Sequence, residues 1–296
     1  MRLLDAIKSA ADILEKAGVE DPLADAEIMV LHAAGADRLA AYTDNPQIGA
    51  NLLSKIRRYV VRRAKGEPLQ YITGYVEFCG LAIKVGKGTL IPRPETELLV
   101  EYAIDMLRGL RPETTTGGRS SDDTPQLPPA ILDLCTGSGC IALALAREFP
   151  EAEVTGTDIS GAALRYAKKN AALNGIGNAT FVKGPLFAPV RKTPGFDLIT
   201  ANPPYISTAE ISGLQREIRE WEPMNALEGG VDGLDFYREI FSEAGVYLRT
   251  GGAVIVELGA GQAADVAKIA EKCGFAGIEI RKDYAGIDRI LKAEKQ

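Results

Sequence analysis

Four consecutive residues, Asn202, Pro203, Pro204 and Tyr205, follow the apolar run Phe196–Ile199. Two prolines in series end a strand and cannot enter a helix interior, so the tetrapeptide is a stiff turn at a strand end. One reading of it is purely structural. The other follows from what the turn displays. The Asn202 side chain offers a carbonyl acceptor, and a proline has no N–H, so its carbonyl can face outward with no competing donor. Two acceptors aimed at one point can grip both hydrogens of an –NH2 group. Tyr205 adds a flat surface for a planar amide or base. The turn thus reads as a socket for a primary amide or exocyclic amine. Asn202, Pro203 and Tyr205 are its catalytic candidates, and Pro204 joins them as a substrate contact.

A second stretch, "LDLCTGSGCIALALA", passes from an apolar strand through Gly137 and Gly139 into a helix. Glycine lets the backbone approach a ligand closely, and a helix N-terminus exposes free N–H groups. Asp158 ends the next strand about twenty residues on, where an acidic residue meets ribose hydroxyls in dinucleotide-type folds. The glycine spacing is not GxGxxG, and no GxxxxGK[ST] occurs. The pattern therefore favours a ribose-containing cofactor without a pyrophosphate, and S-adenosyl-L-methionine fits better than NAD or ATP.

These residues need a scaffold that brings strand ends together. From residue 130 onward, short apolar runs alternate with helical patterns: 130–135, 153–158, 179–184, 196–201, 252–258, 277–282 and 288–293. Such alternation predicts a mostly parallel, doubly wound sheet. Only "DYAGI" joins the last two runs, so they should form an antiparallel pair at one edge. The Asn-Pro-Pro-Tyr turn would then open onto the same crevice as the glycine turn, at the carboxyl ends of the strands.

Ahead of the sheet, residues 1–72 read as a helical domain, with apolar residues recurring at three and four. Residues 73–92 alternate and carry turn glycines, as a linking hairpin would. Residues 93–296 form the catalytic domain, entered through a proline-stiffened helix at "IPRPETELLVEYAIDML". Within it, 111–129 is rich in Pro, Gly, Ser, Thr and Asp and reads as a flexible loop. The basic stretch Arg57–Gly66 is either a solvated helix face or a contact for an acidic or ribonucleoprotein partner.

Composition narrows the function. The 296 residues are 46% apolar and 25% charged, with a net charge of −6. That balance supplies no global basic face for nucleic acid. Four scattered cysteines form no CxxC pair, so neither disulfides nor structural zinc is expected. The single histidine, His32, lies in an apolar helical stretch, so chemistry needing a histidine base has almost no candidate. No signal-peptide core and no membrane-length apolar run occurs, and a cytoplasmic monomer is expected.

The chain resembles the PrmC/HemK family of bacterial enzymes that methylate a glutamine of peptide chain release factors. The likeness rests on "EPLQYITG", "LIPRPETELLVE", "ILDLCTGSGCIALALA", "TDIS", "FDLITANPPYIS", "GGVDGLDFYREI" and "KDYAGIDRI". Asn-Pro-Pro-Tyr alone is shared with adenine-N6 methyltransferases; "IPRPETE" and "GGVDGLDFYR" are far more specific. The resemblance implies an α/β fold, a Rossmann-like class I S-adenosylmethionine-dependent methyltransferase sheet with one antiparallel edge strand and a small N-terminal helical domain for substrate recognition. It implies that Cys135, Thr136, Gly137, Ser138 and Gly139 bind the methionine part of the cofactor, that Asp158 holds the ribose and that Leu186 lies against the adenine. Asn202 would touch cofactor and substrate, with Pro203, Pro204 and Tyr205 forming the glutamine socket. Cys135 stands where many members have glycine, and Pro185 where an acidic residue is common.

The implied reaction methylates N5 of the glutamine in the GGQ motif of class 1 release factors, yielding S-adenosyl-L-homocysteine. The rivals are a ribosomal-protein glutamine, a nucleic-acid adenine, and a non-catalytic cofactor-binding protein. A carboxamide nitrogen is a poor nucleophile because its lone pair is delocalised. Catalysis by positioning and electrostatics is therefore expected, with no metal and no covalent intermediate required.

Overall fold

The computed structural model describes residues 1–110, 128–192 and 195–296. The loop expected over 111–129 lies outside the described residues, its last two positions apart. The chain forms two compact units.

The first unit comprises Met1–Tyr75, Val85–Lys87 and Leu214–Glu222. It holds α1 (Leu3–Lys16), α2 (Pro22–Ala34), α3 (Arg38–Asp44), α4 (Ala50–Ala64) and α5 (Leu69–Thr73). Leu3, Ile7, Ala10 and Leu14 lie on one face of α1 and meet Met29, Val30, Ile56 and Val60 in a buried core. Helix starts follow local chemistry. Pro22 begins α2, and Asp37 Oδ1 accepts the Ala40 N–H at 3.1 Å ahead of α3.

Arg63 explains why a distant segment joins this unit. Its guanidinium reaches Asp25 Oδ2 at 2.5 Å and Glu217 Oε2 at 2.6 Å. The sequence pattern assigns Leu214–Glu222 to the catalytic domain, because six residues of helix there carry little periodicity. Within the basic stretch, Arg62 pairs with Glu67 and Arg63 is spent internally, whereas Arg57 and Arg58 are exposed. His32 packs beside the rings of Tyr59 and Tyr75, at 6.0 and 5.5 Å between centroids.

The second unit comprises Val76–Lys84, Gly88–Gly213 and Pro223–Gln296. A two-stranded hairpin, β1 (Tyr75–Phe78) and β2 (Leu81–Lys84), turns through Cys79 and Gly80, both at positive φ. Then come α6 (Glu95–Leu110), β3 (Ala130–Leu134), α7 (Cys140–Glu148), β4 (Glu153–Asp158), α8 (Gly161–Leu173), β5 (Ala179–Lys183) and β6 (Phe196–Ala201). The short α9 (Arg216–Trp221) belongs to the helical unit. After it follow α10 (Asp235–Tyr247), β7 (Leu248–Glu257), α11 (Ala263–Lys272), β8 (Phe275–Lys282) and β9 (Asp288–Lys295).

Seven strands form one sheet in the order β5-β4-β3-β6-β7-β9-β8. Strand β9 alone runs against its neighbours. The antiparallel pair does lie at one edge, but β8 is outermost and β9 sits one place in. Strand β7 starts at Leu248, ahead of the apolar run at 252, because Gly251 and Gly252 interrupt the sequence signal where the register with β6 also shifts. Tyr237, Phe241, Phe187 and Tyr247 fill the core beside the sheet.

Strand order reverses between β3 and β6, which makes the crevice there the natural ligand site. Leu134 pairs with both Thr157 and Ala201. Asp158, Cys135 and Asn202 therefore emerge side by side from adjacent strands, spaced about 4.8 Å apart.

Candidate active site

The glycine turn is built by backbone strain and buried polar anchors. Cys135 takes φ 54°, the left-handed region that disfavours any residue with a Cβ. That backbone path is why glycine suits this position. Gly139, at the start of α7, has φ 81°, and a Cβ there would lie 3.0 Å from Ala167 Cβ and 3.1 Å from Phe181. It is needed for close packing between the turn, α8 and β5. Asn170, buried in α8, donates to Ser138 O at 2.9 Å and accepts the Lys84 N–H at 2.8 Å, tying the turn to the hairpin.

Beneath the turn lies Asp133, fully buried. It accepts hydrogen bonds from Thr136 Oγ1 at 2.5 Å and Thr200 Oγ1 at 2.8 Å, so one carboxylate joins β3, the turn and β6. Burial pushes its carboxyl up to about 7, helped by the nearby Asp158 charge and opposed by the hydroxyl donors. A carboxyl raised above its unfolded value holds its proton in the fold while the unfolded chain has lost it. Its stabilising contribution is therefore full at acid pH and is lost as pH rises through about 7. In urea unfolding, Asp133→Asn is expected to gain about 2–3 kcal/mol on the wild type between pH 5 and pH 8. A difference independent of pH would contradict this assignment.

Asp158 Oδ2 accepts the Gly137 N–H at 2.8 Å, and Oδ1 accepts the Ser160 N–H at 2.7 Å. Each oxygen keeps a further lone pair for a hydroxyl donor. Burial raises this carboxyl above its ordinary range, against those two N–H donors.

On the other side, the Asn-Pro-Pro-Tyr turn is clamped at several points. Tyr205 O accepts from Gln262 Nε2 at 2.9 Å, and the Tyr205 hydroxyl donates to Glu257 Oε1 at 3.3 Å. Past the turn, Ile206 and Gly229 pair, Gly229 N donating to Ile206 O at 2.8 Å. A Cβ on Gly229 would lie 2.7 Å from Pro204 O, so the "GGVDG" segment is glycine-rich because it lies directly on the turn. Asn202 Nδ2 donates to Thr96 Oγ1 at 3.2 Å.

Between the two turns is a cleft of about 310 Å³. Of the residues singled out from sequence, Cys135, Thr136, Gly137, Ser138, Asp158, Leu186, Asn202 and Pro204 line it. Gly139, Pro203 and Tyr205 do not. Gly139 is used for packing, Pro203 is buried, and Tyr205 rests partly on the core with its polar atoms held by Glu257 and Gln262. Pro185 lines the cleft beside Leu186, which itself takes φ 41°.

Thr96, Asp133, Asn170, Glu257 and Gln262 were missed. A signal existed for two of them. Thr96 lies in "IPRPETE", and Glu257 is an acid closing the apolar strand "GAVIVE".

The cleft has a clear preference for ligand chemistry. Leu90, Ile141, Ile159, Leu186 and Phe236 supply apolar walls. Asp158, Glu228 and Glu239 supply carboxylates, and no Lys, Arg or His is among the described lining residues. A polyphosphate would be repelled there, and a ligand with a positive centre attracted. Ser138 Oγ is buried and, Cys140 apart, has no hydrogen-bond partner among the described residues. With only the weak thiol of Cys140 beside it, this hydroxyl at the wall of the cleft keeps capacity for a ligand.

Comparison with known proteins bears on the whole chain. A family model described as the PrmC N-terminal domain matches residues 5–74, and one described as a methyltransferase domain matches 129–241. The release factor glutamine methyltransferase of Thermodesulfovibrio yellowstonii is 44% identical over 295 residues, covering 100% of this chain and 99% of that one. The protein of the same name from Geobacter sulfurreducens is 42% identical over 280 residues, covering 94% and 91%. Among solved structures, a methyltransferase from Pyrococcus furiosus shares the fold at TM-score 0.51 and 19% identity, over 83% of this chain and 99% of that one. With a relative this similar along its full length, the chain belongs to the release factor glutamine methyltransferase family.

Proposed function

We propose that this protein transfers a methyl group from S-adenosyl-L-methionine to N5 of the glutamine in the GGQ motif of class 1 peptide chain release factors. The observation that carries the proposal is Asn202. It stands at the carboxyl end of β6, lines the cleft and spends its amide N–H on Thr96, which leaves Oδ1 to accept from a substrate –NH2 group. The relatives supply the protein target, since theirs are named release factor glutamine methyltransferases.

The cofactor brings a methyl group already activated by a sulfonium centre. Asp158 would hold its ribose hydroxyls, Cys135–Ser138 its methionine part and Leu186 its adenine; the carboxylate-lined, base-free cleft suits its positive charge. Asn202 Oδ1 and a carbonyl of the Pro203–Pro204 pair, of which Pro204 lines the cleft, accept the two N–H bonds of the glutamine amide. Both acceptors localise the nitrogen lone pair and stabilise charge developing on nitrogen. The N–C bond would form as the methyl–sulfur bond breaks, and the methylated nitrogen would then release one N–H proton to solvent to give the neutral N-methyl amide. Tyr205, fixed at its hydroxyl and its carbonyl, keeps the turn rigid, so this alignment exists before the substrate arrives. The helical unit would recognise the release factor, the enzyme acting as a cytoplasmic monomer.

The test incubates the protein with methyl-labelled cofactor and purified release factor, ribosomes or DNA, then maps the label by mass spectrometry. Label on the glutamine between the two glycines and its successor is expected in the release factor. Label on a ribosomal protein or on adenine would overturn the target.

A further inference from the structure

We infer that Glu257 and Thr96 form a positioning relay that sets which way the Asn202 amide faces. Three bonds define it. Thr96 Oγ1 donates to Glu257 Oε2 at 2.6 Å, Asn202 Nδ2 donates to Thr96 Oγ1 at 3.2 Å, and the other Glu257 oxygen holds the Tyr205 hydroxyl at 3.3 Å. Thr96 and Glu257 are both buried, so water does not compete for these bonds.

The direction of the relay follows from donor counting. Burial raises the Glu257 carboxyl above its ordinary range, opposed by the Thr96 and Tyr205 hydroxyl donors and by the Arg289 charge. Once ionised it only accepts, and a threonine hydroxyl has one proton. With that proton given to Glu257, Thr96 can meet Asn202 only as an acceptor. Asn202 must then present Nδ2 to Thr96 and Oδ1 away from it. A reversed amide would set –NH2 against the –NH2 of the substrate, donor against donor. The negative charge at Glu257 is thus converted, through one hydroxyl, into the polarity of the asparagine that meets the substrate. The same carboxylate grips the far end of the turn through Tyr205, and its backbone carbonyl accepts the buried Tyr237 hydroxyl at 2.8 Å, which fixes the strand end itself.

A glutamine at 257 would break the logic without changing the shape. Its amide can either accept from Thr96 or donate to it, and in the second case the threonine proton is free to turn toward Asn202 Oδ1. Both orientations of Asn202 then become populated.

The inference rests on the reading that Asn202 accepts from a glutamine amide. Its test compares wild type, Thr96→Val, Thr96→Ser, Glu257→Gln and the Thr96→Val/Glu257→Gln double variant. Methyl transfer to purified release factor gives kcat and KM, and calorimetry gives the cofactor Kd, which also reports folding. Thr96→Val and Glu257→Gln should each lower kcat about tenfold or more, with KM and cofactor Kd within about threefold of wild type. Thr96→Ser, which keeps the hydroxyl, should recover at least a third of wild-type kcat. The double variant should be little worse than Thr96→Val alone, because the relay is already cut. Wild-type turnover in Thr96→Val, a serine variant no better than valine, losses that multiply in the double variant, or an effect confined to cofactor Kd would each overturn the relay and leave the proposed function standing. A wild-type protein that methylates no release factor would overturn the function and this inference with it.

Discussion

Replacing Asn202 by alanine is expected to lower kcat by about 10²-fold or more, the scale on which a single preorganised hydrogen-bonding group acts at a developing charge. The loss should fall on the chemical step. On the proposed reaction, Asn202 Oδ1 would accept from an N–H whose polarity increases as nitrogen gives up its lone pair, so the bond would be stronger in the transition state than in the bound substrate. A group of that kind lowers kcat and kcat/KM together when removed. The fold should tolerate the change, because Asn202 is half-buried and its partner Thr96 retains its bond to Glu257. Cofactor Kd, measured by calorimetry, should rise by a smaller factor than kcat falls, since Asn202 is one of many residues lining the cleft. Single-turnover transfer to release factor is the decisive readout. An alanine variant within a few-fold of wild type would mean that the turn is a structural strand end after all, which is the other reading its prolines allow.

That ambiguity shows where the sequence is legible and where it is not. Strand ends are legible because strand-like runs of five or six residues stop at Asp158, Cys135 and Asn202, and parallel topology then forces those three residues together. The position of β9 inside β8 is not, because a short connection specifies an antiparallel pair but not which partner lies outermost. Buried polar anchors are the least legible. Asp133 and Glu257 look like ordinary strand residues until their hydroxyl donors arrive from elsewhere: Thr200 is 67 positions from Asp133, and Thr96 is 161 from Glu257. No local pattern encodes such a pairing. The same holds for Leu214–Glu222, which belongs to the helical unit and whose Glu217 pairs with Arg63, 154 residues away in sequence. Glycines fall between these extremes. Gly137 and Gly139 look alike in "TGSG", yet one lines the cleft and the other is required by Ala167 and Phe181 behind it.

Asp158→Ala is expected to weaken cofactor binding by about 10²- to 10⁴-fold. In the proposed complex one carboxylate would hold two ribose hydroxyl donors. Hydrogen bonds to a charged group contribute about 1.5–3 kcal/mol each, so losing two removes about 3–6 kcal/mol of binding. The alanine also strands the Gly137 and Ser160 N–H groups, which now both donate to this carboxylate, and so loosens the turn that must meet the rest of the ligand. Asp158→Asn should be nearly as poor, within about tenfold of alanine. Its amide has only one oxygen, so one of the two backbone N–H groups would face an –NH2 group. Saturating cofactor should restore kcat to within a few-fold of wild type, because Asp158 stands at the end of β4 while the reacting amide is held at the end of β6. The pH dependence has a fixed sign. On the proposed reading only the ionised carboxylate would accept both ribose hydroxyls, and burial raises Asp158 above the ordinary carboxylate range. Affinity should therefore begin to fall at a higher pH on acidification than an exposed aspartate would give, and the alanine variant should lose that dependence. Calorimetry across acid pH measures both effects. An alanine variant that binds the cofactor within about threefold of wild type would remove Asp158 from the site, and with it the ribose-first orientation of the ligand in the cleft.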